Sequence, residues 1–176
     1  MNKVFVAQIF GLIGAVVLWC AFQCKDTKRL FFLHFIAATF FSLHFFLLGA
    51  YTGLLLNLAE MIRSFLLFQG QKKWASHPVS MIAIMLLMAA CGAISWAGWL
   101  SLIPTAAMVV GTLFMWKRNG KTLRFAQLIF ISPCWLIYNA AMGSIAGVLT
   151  ESVNIISVVI SLWRFGLKEL DKTCEV

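Results

Sequence analysis

Charge is what this chain has least of. Only 11% of its 176 residues are charged and only six are acidic, while 62% are hydrophobic. Soluble domains average about 25% charged and about 45–50% apolar. So few polar side chains cannot coat a water-facing globule, whereas lipid accepts Leu, Phe and Ile turned outward, so a membrane-embedded chain is expected. Phosphate-binding glycine loops, flavin fingerprints and intramembrane catalytic signatures are missing too. The five cysteines, Cys20, Cys24, Cys91, Cys134 and Cys174, have no metal spacing and imply no disulfide framework. Ser42 and His44 are two apart on a helix and lie on different faces, which is no arrangement for a catalytic pair. His44 with Glu60 and Glu151 could offer three ligands, but no two of them stand at the three- or four-residue spacing of a helical metal site. No enzyme activity, cofactor or metal is therefore expected.

What the chain does have is long apolar runs. Windows near the 18–20 residues needed to cross a bilayer fall at 4–22, 29–48, 54–68, 78–95, 100–116, 125–142 and 148–163. The first resembles a signal peptide, since Lys3 precedes it, yet no small-x-small cleavage pattern follows before Lys25, so it is read as a helix. Segments 49–53, 96–99 and 143–147 carry no charge, whereas the alternate connections hold Lys25, Lys28 and Arg29, then Lys72 and Lys73, then Lys117, Arg118, Lys121 and Arg124, and finally Arg164, Lys168 and Lys172. The positive-inside rule then places the N-terminus outside and the C-terminus in the cytoplasm. Trp96 and Trp99 on one side, with Trp74, Trp116 and Trp163 on the other, suit interfacial aromatic belts. The net charge of +8 is thereby a matter of topology and lipid headgroups, and no nucleic-acid partner is expected.

A shift of 94 positions lays Gly49, Gly53, Asn57 and Glu60 on Gly143, Gly147, Glu151 and Asn154. Seven spans with such a repeat imply three helices, a linker helix and three more in the same orientation, which are parallel triple-helix bundles about a pseudo-two-fold along the membrane normal. The expected fold is thus an all-α membrane protein of seven transmembrane helices in a 3+1+3 layout. Residues 1–73 form the first bundle, 74–99 the linker helix, and 100–176 the second bundle with a short tail.

The string His44-Phe45-Phe46-Leu47-Leu48-Gly49, the run Ala59-Glu60-Met61-Ile62-Arg63, and the stretch Cys134-Trp135 through Asn139 to Gly143-Ser144-Ile145-Ala146-Gly147 with Glu151 resemble the YgjV family of bacterial inner-membrane proteins over nearly the whole chain. That resemblance implies the bacterial inner membrane and leaves function undefined; the positive-inside orientation then makes the N-terminus periplasmic. More distantly, the 3+1+3 layout is similar to the SWEET, PQ-loop and nicotinamide-riboside transporter group. The Pro-Gln pair of that group is not reproduced: the first span has Gln8 and no proline, and the fifth has Pro104 with no glutamine after it.

Polar side chains in hydrocarbon cost a few kcal/mol each and normally face a bundle interior. Asn57 and Glu151 lie four residues past their outer glycines, and His44 and Tyr138 five residues before the matching turns, so the four share one depth. One turn deeper, Glu60 answers Asn154 and Phe41 answers Trp135. Asn57, Glu60 and Ser64 share one face of the third span, as do Glu151, Asn154 and Ser157 or Val158 on the seventh; Trp135, Tyr138, Asn139 and Met142 stripe the sixth. Arg63, three residues from Glu60, could neutralise it while snorkelling to the cytoplasmic side, and His34 and His77 read as rim residues. A small-solute transporter or facilitator is expected, with Asn57, Glu60, Trp135, Tyr138, Asn139, Glu151 and Asn154 as its binding site for a small polar or cationic solute. His44, Phe41 and Glu151 are the candidates for gating or proton coupling. The alternative is a non-transporting scaffold or sensor in which the same groups form a closed network, with membrane lipid as the one sure partner.

Overall fold

The computed structural model describes residues 2–70 and 72–170, without the side chains of 167–170. Cys174, Lys172, the Lys168 side chain and the C-terminal tail lie outside what is described. Among the described residues the fold is entirely helical, and five helices are long and apolar enough to cross a membrane.

The first three are α1 (Lys3–Phe22), α2 (Thr27–Leu48) and α3 (Tyr51–Phe68), each packed on its neighbour. Asn2 caps α1 through the Val4 amide, and Asp26 caps α2 through the Lys28 amide, satisfying orphan N–H groups at helix starts. Gly49 closes α2 in a left-handed conformation, φ 72°, that a residue with a Cβ adopts only at a cost. A four-residue helix, α4 (Lys73–Ser76), leads into α5 (Pro78–Ile94), and α6 (Leu102–Trp116) extends a short 3-10 turn at Trp99–Ser101. At 17 residues α5 measures about 26 Å at 1.5 Å per residue, a little short of a full crossing.

The expected sixth span differs from a plain helix. It runs as α7 (Gly120–Ala126), a π turn at Gln127–Ile131, and α8 (Ser132–Ala141) without a break. Pro133 lacks an N–H and its ring would crowd the carbonyl four residues back; in the wide turn the Ser132 N–H reaches Gln127 O, five residues back, instead. The wide turn also takes up chain length: 24 steps separate the cap Asn119 from Gly143, against 23 between Asp26 and Gly49. The last helix, α9 (Ile145–Leu170), is broken at Gly166, φ 71°.

The packing order is a closed ring. α1 touches α2, α2 touches α3, α3 touches α6, α6 touches α8, α8 touches α9, and α9 returns to α1. α5 stands outside, against α3 and α6, with only Ile84, Met88 and Gly92 buried. The surface is inverted relative to a soluble protein. Trp163 is 87% exposed, Ile94 and Trp99 are each 80% exposed, while Arg63, Arg124, His44, Asn139 and Asn154 are at most 2% exposed. Apolar groups face outward to lipid and polar ones face each other, as a hydrocarbon solvent requires.

Candidate functional site: a cavity inside the helical ring

All six ring helices, together with the π turn, line one internal cavity of about 80 Å³, space for several water-sized atoms. α2 contributes His34, Ala37, Ala38, Phe41 and Phe45, a stripe at helical spacing, and α3 contributes Asn57, Glu60 and Arg63. Trp135 and Asn139 come from α8, and Gly147, Thr150 and Glu151 from α9. Leu18, Met108, Met115, Gln127 and Ile131 complete the wall.

The two buried acids have different surroundings. Glu60 forms an ion pair with Arg63, accepts from the Ser64 hydroxyl at 2.6 Å, and stands 3.7 Å from His34 Nδ1. Arg63 continues across the ring seam, donating through Nη1 to Met108 O at 3.1 Å and Thr112 Oγ1 at 2.9 Å. Its guanidinium turns inward rather than snorkelling to the rim, because these partners and Glu60 all lie at its own depth. Among the described residues Glu151 has no such cation. It accepts from Asn154 Nδ2 at 3.3 Å with Ser132 nearby, and the Ser132 hydroxyl accepts from Gln127 Nε2 at 2.9 Å. Positions five apart are about 140° apart around an ordinary helix, so the π turn is what brings Gln127 and Ser132 together. The position 94 beyond Arg63 is Ser157, engaged by Gln23 Nε2 at 2.8 Å.

Of the residues expected in the site, Asn57, Glu60, Trp135, Asn139, Glu151 and Phe41 line the cavity. Three do not. The Tyr138 hydroxyl accepts from the Gly53 N–H at 3.0 Å, and the residue borders a separate vestibule of about 470 Å³ shared with Thr52, Trp96 and Ser101. Asn154 is buried beside Glu151 without reaching the wall. His44, fully buried, bridges Ala7 O at 2.7 Å and Ser144 Oγ at 2.8 Å. A carbonyl only accepts, so Nδ1 carries a proton, and in the neutral ring Nε2 accepts from Ser144. His44 is thus a strut behind the aromatic layer, its ring 5.0 Å from that of Phe45.

Two rim assignments also change. His34 is buried on the cavity wall, and Arg124 is fully buried, donating to Ser161 Oγ, Gly120 O, Phe22 O and Cys24 O, so it ties the ends of α1, α7 and α9 instead of meeting headgroups. The groups that sequence reasoning passed over are Gln127, Ser132, Thr150 and Phe45. Pro133, one residue after a buried serine, was the available signal for the first two.

Residues 5–169 match the family described as a bacterial inner membrane protein, Imp-YgjV. The chain belongs to the YgjV family. The inner membrane protein YgjV of Escherichia coli (strain K12) is 24% identical over 174 residues, covering 97% of this chain and 92% of that protein. No solved structure matches. Membership places this YgjV-family chain in the bacterial inner membrane as a multi-pass protein, in accord with its apolar exterior.

Proposed function

We propose that this protein is a small-solute transporter or facilitator, with its site in the cavity between two parallel helix triplets, α1–α3 and α6–α9, joined by α5. The observation that carries the reading is the cavity itself: six helices enclose open space at a wall that holds a carboxyl group with no cation beside it. A scaffold gains nothing from such a wall, since an unpaired buried acid costs free energy.

The triplet arrangement is supported by backbone geometry at the two outer turns. Ala50 N donates to Phe45 O at 3.0 Å and Ser144 N to Asn139 O at 2.9 Å, both pairs 94 apart. Gly49 N to Phe46 O, Tyr51 N to Gly49 O and Leu54 N to Ala50 O have counterparts in Gly143 to Ala140, Ile145 to Gly143 and Val148 to Ser144. Gly53 presses on Phe45 and Gly147 on Asn139, again 94 apart. The ring order agrees, because a two-fold that exchanges α3 with α9 and α1 with α6 turns the α3–α6 contact into the α9–α1 contact. The uncharged outer turns and basic opposite ends favour a periplasmic N-terminus.

In this conformation the outer path is shut. Phe45 stacks on Trp135 at 5.9 Å, Trp135 meets Tyr138 edge-on at 5.7 Å, and Tyr138 is latched to Gly53. Opening to the vestibule requires that latch to release. Transport is favoured over catalysis because the wall's one hydroxyl among the described residues, Thr150, donates to Ala146 O rather than to a base.

The test is access. Ala38→Cys and Met108→Cys, in a background with the native cysteines replaced, are treated with a small impermeant methanethiosulfonate in right-side-out and in inverted vesicles. Both positions are expected to react, and from both faces as the protein cycles. Folded protein that reacts from neither face would overturn transport and favour the scaffold reading, which the interhelical Glu60–Arg63–Thr112 network supports.

A further inference from the structure

We propose that the cavity takes a small protonated amine, of the ammonium or methylammonium class, with its N–H groups on Glu151 and Thr150. This rests on the transport reading and names the substrate class of the same site.

The charge balance of the wall leads there. Glu60 is neutralised by Arg63, so of the two acids only Glu151 is left without a counter-ion. Its partners Ser132 and Asn154 are both neutral. His34, the remaining titratable group on the wall, stands beside Glu60. One uncompensated acid in a low-dielectric enclosure favours one positive charge.

The second observation is independent of charge. Thr150 lines the cavity beside Glu151 on α9, and it has already spent its proton on Ala146 O and can only accept. The Glu151 carboxyl and the Thr150 oxygen are therefore acceptors on one helix, and the group they suit is a donor with several N–H bonds.

Size and the rest of the wall narrow the class. About 80 Å³ admits a few heavy atoms and excludes a sugar or nucleoside without a large opening. The aromatic side chains Phe41, Phe45 and Trp135 border the same space. Aromatic faces attract alkylammonium ions, whereas a bare metal cation needs a shell of oxygens that this wall does not offer.

The experiment uses the full chain reconstituted in phosphatidylethanolamine–phosphatidylglycerol vesicles on a solid-supported membrane, with charge displacement recorded after concentration jumps. Methylammonium is expected to give a saturable signal, and sodium none. Glu151→Gln should raise the half-saturating concentration at least about tenfold, the loss typical of removing one partner of a buried charge pair; Glu151→Asp should keep the response. Should Glu151→Gln not fold, the labelling assay decides alone, by whether methylammonium and not the uncharged formamide protects Ala38→Cys. Methylammonium should also slow labelling of Ala38→Cys. A wall that labels but is protected by formamide or sodium and not by methylammonium, or a current driven by pH alone, overturns the amine while leaving transport standing. A wall that never labels, with no response to any solute, removes both.

Discussion

Arg63 offers the sharpest test of how the ring is held together. Its guanidinium is 2% exposed, pairs with Glu60, and bonds α6 at Met108 O and Thr112 Oγ1. Arg63→Met keeps the aliphatic bulk but strands the Glu60 carboxylate with only Ser64 and His34 beside it. Removing one member of a buried pair typically costs about 3–5 kcal/mol. The double change Glu60→Leu with Arg63→Met removes both charges. What then remains lost is mainly the two hydrogen bonds to α6, about 0.6 kcal/mol each by the average for interhelical bonds in membranes, so roughly 1 kcal/mol in all. Thr112 is not orphaned, because its hydroxyl already donates to Met108 O at 2.7 Å. Equilibrium unfolding in mixed dodecylmaltoside–SDS micelles, followed by circular dichroism, should therefore rank wild type above the double variant and the double variant well above Arg63→Met. A single variant within 1 kcal/mol of wild type, or a double variant no better than the single, would refute the claim that Glu60 is locked by Arg63, and with it the argument that Glu151 is the one cavity acid without a counter-ion.

Gly53→Ala would set its methyl 2.7 and 2.8 Å from ring carbons of Phe45, which is itself backed by Trp135, so a loss of about 1–3 kcal/mol is expected in the same unfolding assay. Gly147→Ala would meet Asn139 Oδ1 and Cγ at 2.2 and 2.3 Å and Ser144 Oγ at 2.6 Å, both residues buried, and should cost at least as much. For orientation, Ala97→Cys should react with an impermeant maleimide in spheroplasts and Lys72→Cys only in inverted vesicles; both sites are exposed, unlike Thr52 and Ser144, which are buried and would report nothing. Equal reaction of the two in spheroplasts would reverse the proposed topology.

The membrane setting and the helical rods are legible in composition and hydropathy, since a chain with 62% hydrophobic residues has only one solvent that suits its surface. Most of the cavity wall is legible as well. Asn57, Glu60, Trp135, Asn139 and Glu151 are polar or amphipathic groups spaced along helices that would otherwise be apolar, and such groups must face inward. The π turn is harder to read, because a wide turn depends on how one proline and one extra residue are absorbed, and nothing in hydrophobic period marks it.

The sequence by itself determined the solvent, the helices and the inward-facing stripes, because each follows from local pattern acting against hydrocarbon. Only the tertiary structure decided which polar group meets which. Sequence spacing puts Arg63 within reach of Glu60, yet its second set of bonds lies on α6, 45 and 49 residues away. His44 looks like a gate at the right depth, but Ala7 and Ser144 from two other helices consume both ring nitrogens. Tyr138 shares that depth, and its hydroxyl is claimed by Gly53 across the ring. Depth is a one-dimensional quantity that a helix carries in its sequence; direction around the ring is set by the neighbours it packs against, and that is where site and strut part company.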